Sequence, residues 1–182
     1  MLRSFAQLLV GATVLLLPLA SQAQGAACPQ ENPASLFKNM LRARALQDPD
    51  KEARMLQAIE GAFEHGCPGA LEALVNVRAM ELQAARGTST YRRQREKYDD
   101  EVLALLNKGI ARGEGRFELG GFLLNPEGKH HSLAQALANL EQAATDGDRR
   151  AIDFLSEAYE KGSLGVPVNH ERAAYWKARL QP

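Results

Sequence analysis

The sequence predicts an all-α protein built from short paired helices. After residue 23, nearly every apolar stretch repeats with helical period, and no stretch alternates convincingly over the length of a strand. Asn-Pro and Asp-Pro pairs or glycines stand between these stretches, where helices begin and end. Similar segments also recur 34 to 36 residues apart. Together these observations predict an α-solenoid of about four antiparallel helix pairs.

The first element, residues 1–23, is predicted to be a secretory signal peptide. Arg3 precedes a largely apolar run at 8–20, and the small residues Ser21 and Ala23 suit positions −3 and −1 of a cleavage site. The apolar run is shorter than the roughly 20 residues that span a bilayer, so we expect no stable membrane insertion. We therefore expect cleavage after Ala23 and a periplasmic product.

Two alternatives to a cleaved leader remain. One is an uncleaved interfacial anchor. The other is a lipoprotein acylated on Cys28, although Gly25 stands where such a site needs a large apolar residue. In either case the segment 24–33 leads into a helical-repeat domain at 34–182.

The helices of this domain begin and end at residues with a local chemical cause. Asn32 and Asp48 each precede a proline, a pattern typical of a capped helix start, and Asn169 is placed to cap the last helix. Glycines stand just past several apolar runs, where a left-handed residue ends a helix; they are Gly66, Gly113, Gly147 and Gly162. The predicted helices are 34–47, 51–65, 70–85, 95–112, 116–124, 133–146, 149–161 and 170–180.

A short motif marks the repeat. A segment ending in Gly66 or Gly147 is followed in both cases by alanine four residues later and leucine eight residues later, and a weaker copy ends at Gly113. The gap between Gly113 and Gly147 is 34 residues, whereas that between Gly66 and Gly113 is 47. The longer gap predicts an insertion of about a dozen residues at 87–101.

The C-terminal copy resembles a known family. It reads Ala151-x-x-x-Leu155-Ser-x-x-Tyr159-x-x-Gly162-x-x-Gly165-Val166-Pro167-x-Asn169-x-x-Arg172-Ala173-x-x-Trp176. This pattern resembles the Sel-one-like repeat, a relative of the tetratricopeptide repeat, over about the last 70 residues. The departures from the family pattern are one extra residue between the loop glycines, Ser156 for Gly, Asn169 for Asp, Arg172 for Lys and Lys177 for Tyr. The resemblance implies an α-solenoid that acts as an adaptor or scaffold in protein complexes.

The two cysteines are predicted to form a disulfide. In an exported protein such a pair is more often bonded than free, and an antiparallel hairpin of the first two helices brings Cys28 and Cys67 to the same end. Two separate thiols are the alternative. Closing a loop of about 40 residues stabilises a fold by roughly 3 to 4 kcal/mol, less any native strain.

Several function classes are disfavoured. Lys and Arg together number 22, equal to Asp and Glu, so the chain lacks the cationic surplus that binds nucleic acid. No catalytic, cofactor or metal motif is present, and the adjacent His130 and His131 point apart, which makes them poor ligands for one metal. His65 lies near Cys67, but the predicted disulfide removes that thiol from chemistry. We expect no enzyme activity and no cofactor.

Two surfaces are candidates for partner binding. In a tetratricopeptide-like arrangement, unpacked positions of the first helices line the concave side, and most of them here are acidic; they are Glu72, Asn76, Phe117, Asp153, Glu157 and Glu160. The second candidate is the cationic start of the insertion, with Tyr91, Arg92, Arg93 and Arg95. For both, ordinary solvated surface is the alternative.

These features favour an exported, non-enzymatic protein-interaction module of the bacterial cell envelope, of adaptor or inhibitor type. Its partner would be another envelope protein or a secreted effector. A more specific hypothesis, by analogy alone, is an immunity protein that neutralises a periplasm-targeted toxin such as a phospholipase effector. The competing hypotheses are an enzyme related to the cell wall or to β-lactams, and a purely structural envelope protein.

Overall fold

The computed structural model describes residues 28–180, and this part of the chain is all-α, with eight α-helices and no strand. The predicted signal peptide at 1–23 lies outside the described residues. The helices are α1 (Pro33–Ala45), α2 (Pro49–Glu64), α3 (Ala70–Ala84), α4 (Tyr91–Ile110), α5 (Arg116–Leu123), α6 (Leu133–Thr145), α7 (Arg149–Lys161) and α8 (His170–Lys177). A short 3₁₀ turn, Ser163–Gly165, lies between α7 and α8. None of these helices is both long enough and apolar enough to cross a membrane.

The three predicted capping residues and the four predicted terminal glycines are confirmed. Asn32, Asp48 and Asn169 each accept a hydrogen bond from the backbone N–H three residues further on, at 2.9 to 3.0 Å. The four glycines predicted to end helices all have positive φ, between 69° and 95°. Only glycine adopts that conformation without a steric penalty, which explains why the helical periods stop there.

Helix α4 departs from the prediction. It begins at Tyr91, four residues before the predicted start, and runs for 20 residues. Residues 87–101, where an insertion is predicted, form the loop before α4 and the start of this helix. The added turns are polar, and Thr90 makes no side-chain capping bond. The start of α4 therefore lacks both the apolar repeat and the capping residue that marked other helix starts in the sequence. Helix α8 ends at Lys177, three residues earlier than predicted.

Consecutive helices pack as pairs: α1 with α2, α3 with α4, α5 with α6, and α7 with α8. Neighbouring pairs also meet, because α2 packs on α3, α4 on α5 and α6 on α7. One buried apolar cluster includes residues from all eight helices. Close approach needs glycine at one crossing, since a Cβ on Gly120 of α5 would lie 2.5 Å from Cγ of Leu140 on α6.

The predicted disulfide is confirmed. Cys28 and Cys67 are bonded, with their Cα atoms 5.6 Å apart. Cys28 lies before α1 and Cys67 after α2, so the bond joins the open end of the first helix pair. Cys67 is buried, at 1% exposure. A bonded pair of this kind is typical of proteins from an oxidising compartment.

Candidate partner-binding surface

The first helices of the last three pairs, α3, α5 and α7, present the residues predicted to bind a partner. Each helix buries one apolar face: Leu71 and Leu74 on α3, Leu119 and Leu123 on α5, and Leu155 and Tyr159 on α7. The polar and acidic residues of the predicted set lie away from those faces, whereas Phe117 packs against the buried apolar cluster. Glu72, Asn76, Asp153, Glu157 and Glu160 are exposed, and Phe117 is half-buried.

Contacts join these three helices at their starts. At the start of α5, a Cβ placed on Gly115 would lie 2.5 Å from Cδ2 of Leu71 on α3, so the two helix starts touch. At the other side, Arg150 of α7 bonds to Glu118 of α5 at 2.8 Å. The starts of α3, α5 and α7 are thus linked in turn, and we call the predicted residues on these three helices the first-helix face.

Helix α7 contributes most of the charge of this face. Its exposed carboxylates are Asp153, Glu157 and Glu160. Lys161 bonds to Glu157, and this hydrogen bond holds the pKa of Glu157 below its ordinary value. The carboxylate of Glu160 lies 3.6 Å from Nδ1 of His170. Glu157 is therefore charged near neutral pH, but a partner must compete with Lys161 for it.

A guanidinium lies over the Phe117 ring. The guanidinium carbon of Arg150 lies 4.6 Å from the centre of the Phe117 ring. Arg150 is itself fixed by Asp148 and Glu118, both at 2.8 Å. Hydrogen bonding to Asp148 raises the pKa of Arg150, and the same contact lowers the pKa of Asp148. The Arg150 side chain, 53% exposed, thus contacts both Phe117 and Glu118 of α5 from the start of α7.

The second predicted surface, at the start of α4, is divided. Arg92 and Arg93 are exposed, and Tyr91 is half-buried. The Arg95 side chain is only 14% exposed, and its Nε donates to Asp99 at 3.2 Å. Arg95 is therefore mostly buried and pairs with an acid of the protein interior, so it presents little of its side chain to a partner.

Sequence reasoning missed the reason why Arg95 turns inward. Asp99 is 1% exposed and is the one buried charged residue of residues 28–180. Its second oxygen accepts the backbone N–H of Lys129 at 2.8 Å, from the loop between α5 and α6. Asp99 lies three residues before the buried Val102, on the same side of the helix. This position in the apolar stripe was the sequence signal that could have predicted the burial of Asp99.

The same loop is held by a second acid. Asp100 accepts hydrogen bonds from Lys129 at 2.8 Å and from His130 at 2.9 Å, and these bonds lower the pKa of Asp100. A cleft of about 610 Å³ lies between this loop and the start of α4. Its walls carry positively and negatively charged side chains. The lining residues are Tyr91, Arg92, Arg95, Glu96, Asp99, Glu127 and Lys129.

The aromatic residues of the C-terminal motif lie in the core. Tyr159 is 2% exposed and Trp176 is 5% exposed. The Tyr159 hydroxyl donates to Glu141 at 2.8 Å, and Arg172 bonds to the same carboxylate at 2.7 Å. A cleft of about 500 Å³ borders Trp176, between α6 and α8. These rings pack helices together and leave little of their surface for a ligand.

The histidines and cysteines of residues 28–180 do not form a metal site. No cluster of three or more His, Cys, Asp or Glu side chains there has the geometry to hold a metal ion. His130 faces Asp100 and His131 faces the backbone oxygen of Leu123, so the adjacent histidines have separate partners. Both cysteines are bonded to each other and have no free thiol.

Comparisons with known proteins identify no relative of this chain. No family model matches the chain, and no curated protein or solved structure is significantly similar to it.

Proposed function

We propose that the mature chain is a non-enzymatic protein-binding module of the bacterial cell envelope, acting in the periplasm as an adaptor or inhibitor. In this proposal residues 1–23 direct export and are removed. The disulfide supports an oxidising compartment, since it joins two cysteines that a reducing cytosol keeps apart.

The proposed architecture is a Sel-one-like α-solenoid. Helix pairs that follow one another in sequence pack on one another in space, as stacked repeats do. The residues that carry the resemblance also serve as scaffold, because Leu155, Tyr159 and Trp176 are all buried between helices. Stacked pairs of this kind offer an extended surface of first helices to a partner.

The observation that carries the proposal is the acidic first-helix face. Glu72 on α3 and Asp153, Glu157 and Glu160 on α7 are exposed and lie on helices joined through α5. Opposite charge attracts and orients a partner during encounter. The occupant we propose is therefore a cationic or amide-rich segment of another envelope protein or of a secreted effector.

The test is capture of the partner from the periplasm. The tagged mature protein, expressed with its own signal peptide in the source bacterium, is cross-linked and purified, and its companion is identified by mass spectrometry. The triple variant Asp153→Lys, Glu157→Lys and Glu160→Lys is expected to lose the companion without a lower melting temperature, because all three side chains are exposed. A toxin as companion would identify an immunity protein, and an assembly component would identify an adaptor.

The matched control reverses three exposed acids on second helices: Asp50→Lys, Glu96→Lys and Glu171→Lys. Each of these acids is exposed and lies outside the first-helix face. The control variant is expected to keep the companion. Equal capture by both triple variants would contradict the proposal, as would a purified protein that captures no stoichiometric companion.

A further inference from the structure

The cleft at the start of α4 contains a cation whose hydrogen bonds are incomplete. Arg95 lines this cleft and donates from Nε to Asp99, but its Nη1 lies 3.7 Å from Glu127, beyond hydrogen-bond distance. Nη2 of Arg95 is buried and has no acceptor, and it is the one buried side-chain nitrogen or oxygen of residues 28–180 in this state. Nearly every buried donor in a folded protein has an acceptor, so this nitrogen points to an acceptor from outside the chain.

The loop beside this guanidinium leaves its outer end weakly covered. Gly128 has no side chain, and a Cβ there would lie 3.9 Å from Nη2 of Arg95 and 3.2 Å from the backbone oxygen of Asn125. The Glu127 side chain is 76% exposed, and its contact with Arg95 is the 3.7 Å approach to Nη1. An exposed ion pair of this kind contributes little stability, so Glu127 is free to rotate into solvent and give way to another carboxylate.

Positive charge remains in the cleft after the contacts within the chain are made. Both oxygens of Asp99 are occupied, one by Arg95 and the other by the backbone N–H of Lys129. Arg92 also lines the cleft, is exposed and forms no ion pair within residues 28–180. The first turn of α4 holds no acid and its N-cap makes no side-chain bond, so the positive end of the helix dipole adds to this charge.

We propose that this cleft binds the free C-terminal carboxylate of a peptide, with Arg95 and Arg92 as its cationic contacts. A planar carboxylate can accept from Nη1 and Nη2 of one guanidinium together. Glu96 and Glu127 on the same walls disfavour a ligand with more than one negative charge. The cleft, at about 610 Å³, is larger than a carboxylate needs and leaves room for the residues before it. Because little of Arg95 is exposed, a chain end that enters the cleft suits it better than a flat protein surface.

This binding site is separate from the first-helix face and does not depend on the function proposed for that face. The residues of the cleft belong to α4 and to the loop between α5 and α6. The first-helix face belongs to α3, α5 and α7.

Three small probes test the proposal directly. They are acetyl-trialanine with a free carboxylate, the same peptide with a C-terminal amide, and inorganic phosphate. Each is titrated into ¹⁵N-labelled mature protein with its disulfide intact, and amide shifts give the dissociation constants. The acid peptide is expected to bind about tenfold more tightly than the amide, because the carboxylate makes charge-assisted hydrogen bonds. Phosphate is expected to bind more weakly than the acid peptide, and the largest shifts are expected at Arg92, Arg95, Gly128 and Lys129.

Substitutions of exposed residues provide the second arm without disturbing the buried Asp99. Arg92→Gln is expected to weaken binding of the acid peptide by about two- to fivefold, the usual contribution of an exposed charge. Arg93→Gln is the matched control, because Arg93 is also exposed on the first turn of α4 but lies outside the lining of the cleft. Glu127→Gln removes the acid that competes for Arg95 and is expected to tighten binding by a similar factor. All three variants are expected to keep the wild-type melting temperature.

Each result either supports the carboxylate site or overturns it. Equal binding of the acid peptide and its amide would overturn it, as would the absence of any saturable shift. Phosphate that binds as tightly as the acid peptide would show a general anion site in place of a carboxylate site. Equal affinities of Arg92→Gln and Arg93→Gln would place the ligand outside the cleft. None of these results bears on the first-helix face, which the capture experiment tests.

Discussion

The first and last helix pairs are stabilised by different means. The pair α1–α2 is joined at its open end by the Cys28–Cys67 disulfide. The pair α7–α8 has no cysteine and depends on side-chain contacts, with Trp176 buried at 5% exposure. The first pair therefore has a covalent bond in addition to its buried apolar side chains, whereas the last pair is held by non-covalent contacts.

Polar contacts complete the last pair. Tyr159 of α7 and Arg172 of α8 both bond to Glu141 of α6, so one carboxylate joins three helices. Arg179 covers the outer side, with its guanidinium carbon 3.7 Å from the Tyr175 ring centre and 5.6 Å from the Trp176 ring centre. A terminal pair can thus be held by a covalent bond or by a dense set of contacts on one neighbour.

The largest effect is expected from Trp176→Ala. Loss of this buried ring should lower the free energy of unfolding by about 3 to 5 kcal/mol. Because packing is local to the last pair, hydrogen exchange should quicken in α7 and α8 more than in α1 and α2. Urea unfolding followed by far-UV circular dichroism measures the loss, and mass spectrometry locates the exchange.

Tyr175→Ala is the control for this variant, because Tyr175 is next in sequence but 50% exposed. The Tyr175→Ala variant should lose clearly less free energy of unfolding than Trp176→Ala. Similar costs for the two variants, or exchange that quickens first in α1 and α2, would break the comparison between the two ends.

The disulfide should contribute nearly as much at the other end. The double variant Cys28→Ala and Cys67→Ala opens a loop with a sequence separation of 39 residues. Its free energy of unfolding should fall by about 3 to 4 kcal/mol, since the unfolded chain regains the entropy of the open loop. Exchange should quicken mainly in α1 and α2.

Reduction of the wild-type protein with dithiothreitol should reproduce this loss, and the same treatment should leave the double variant unchanged. A double variant as stable as the oxidised protein would mean that packing alone holds the first pair, and the two ends would then be alike.

Much of the helical fold was predictable because its causes are local. Asn32, Asp48 and Asn169 cap helices through bonds that span three residues, and the glycines end helices through their own φ. The disulfide was predictable as well, because an antiparallel hairpin fixes where its two flanking residues meet. Short-range chemistry decides all of these features.

The missed features depend on residues far apart in sequence. Arg95 turns inward because Asp99 is buried, and Asp99 is buried where the backbone of Lys129, 30 residues later, supplies its hydrogen bond. No local pattern shows such a partner. For the first-helix face, helical spacing predicted the exposed polar and acidic side chains but not the packing of Phe117 against the core, and the contact between Glu160 and His170 across two helices needed the structure.

The smallest expected effect is a pH dependence at the start of α7. Asp148 caps this helix by accepting the Arg150 N–H at 2.9 Å, and it also binds the Arg150 guanidinium, which lowers the pKa of Asp148. Since the pKa is lower in the folded state, the stabilisation is present above the unfolded pKa of about 3.9 and is lost as pH falls through the folded value. Asp148→Asn should therefore cost less than about 1 kcal/mol at pH 7 and still less at acid pH.

Asp48→Asn provides the matched control in the first pair. Asp48 caps α2 through the backbone N–H of Lys51 at 3.0 Å, and within residues 28–180 it forms no ion pair. Urea unfolding of both variants and the wild type, measured from pH 7 down to about pH 3, should show the difference from wild type shrinking toward acid more for Asp148→Asn than for Asp48→Asn. Equal pH dependence of the two variants would show that capping explains both aspartates, because the guanidinium contact distinguishes Asp148 from Asp48.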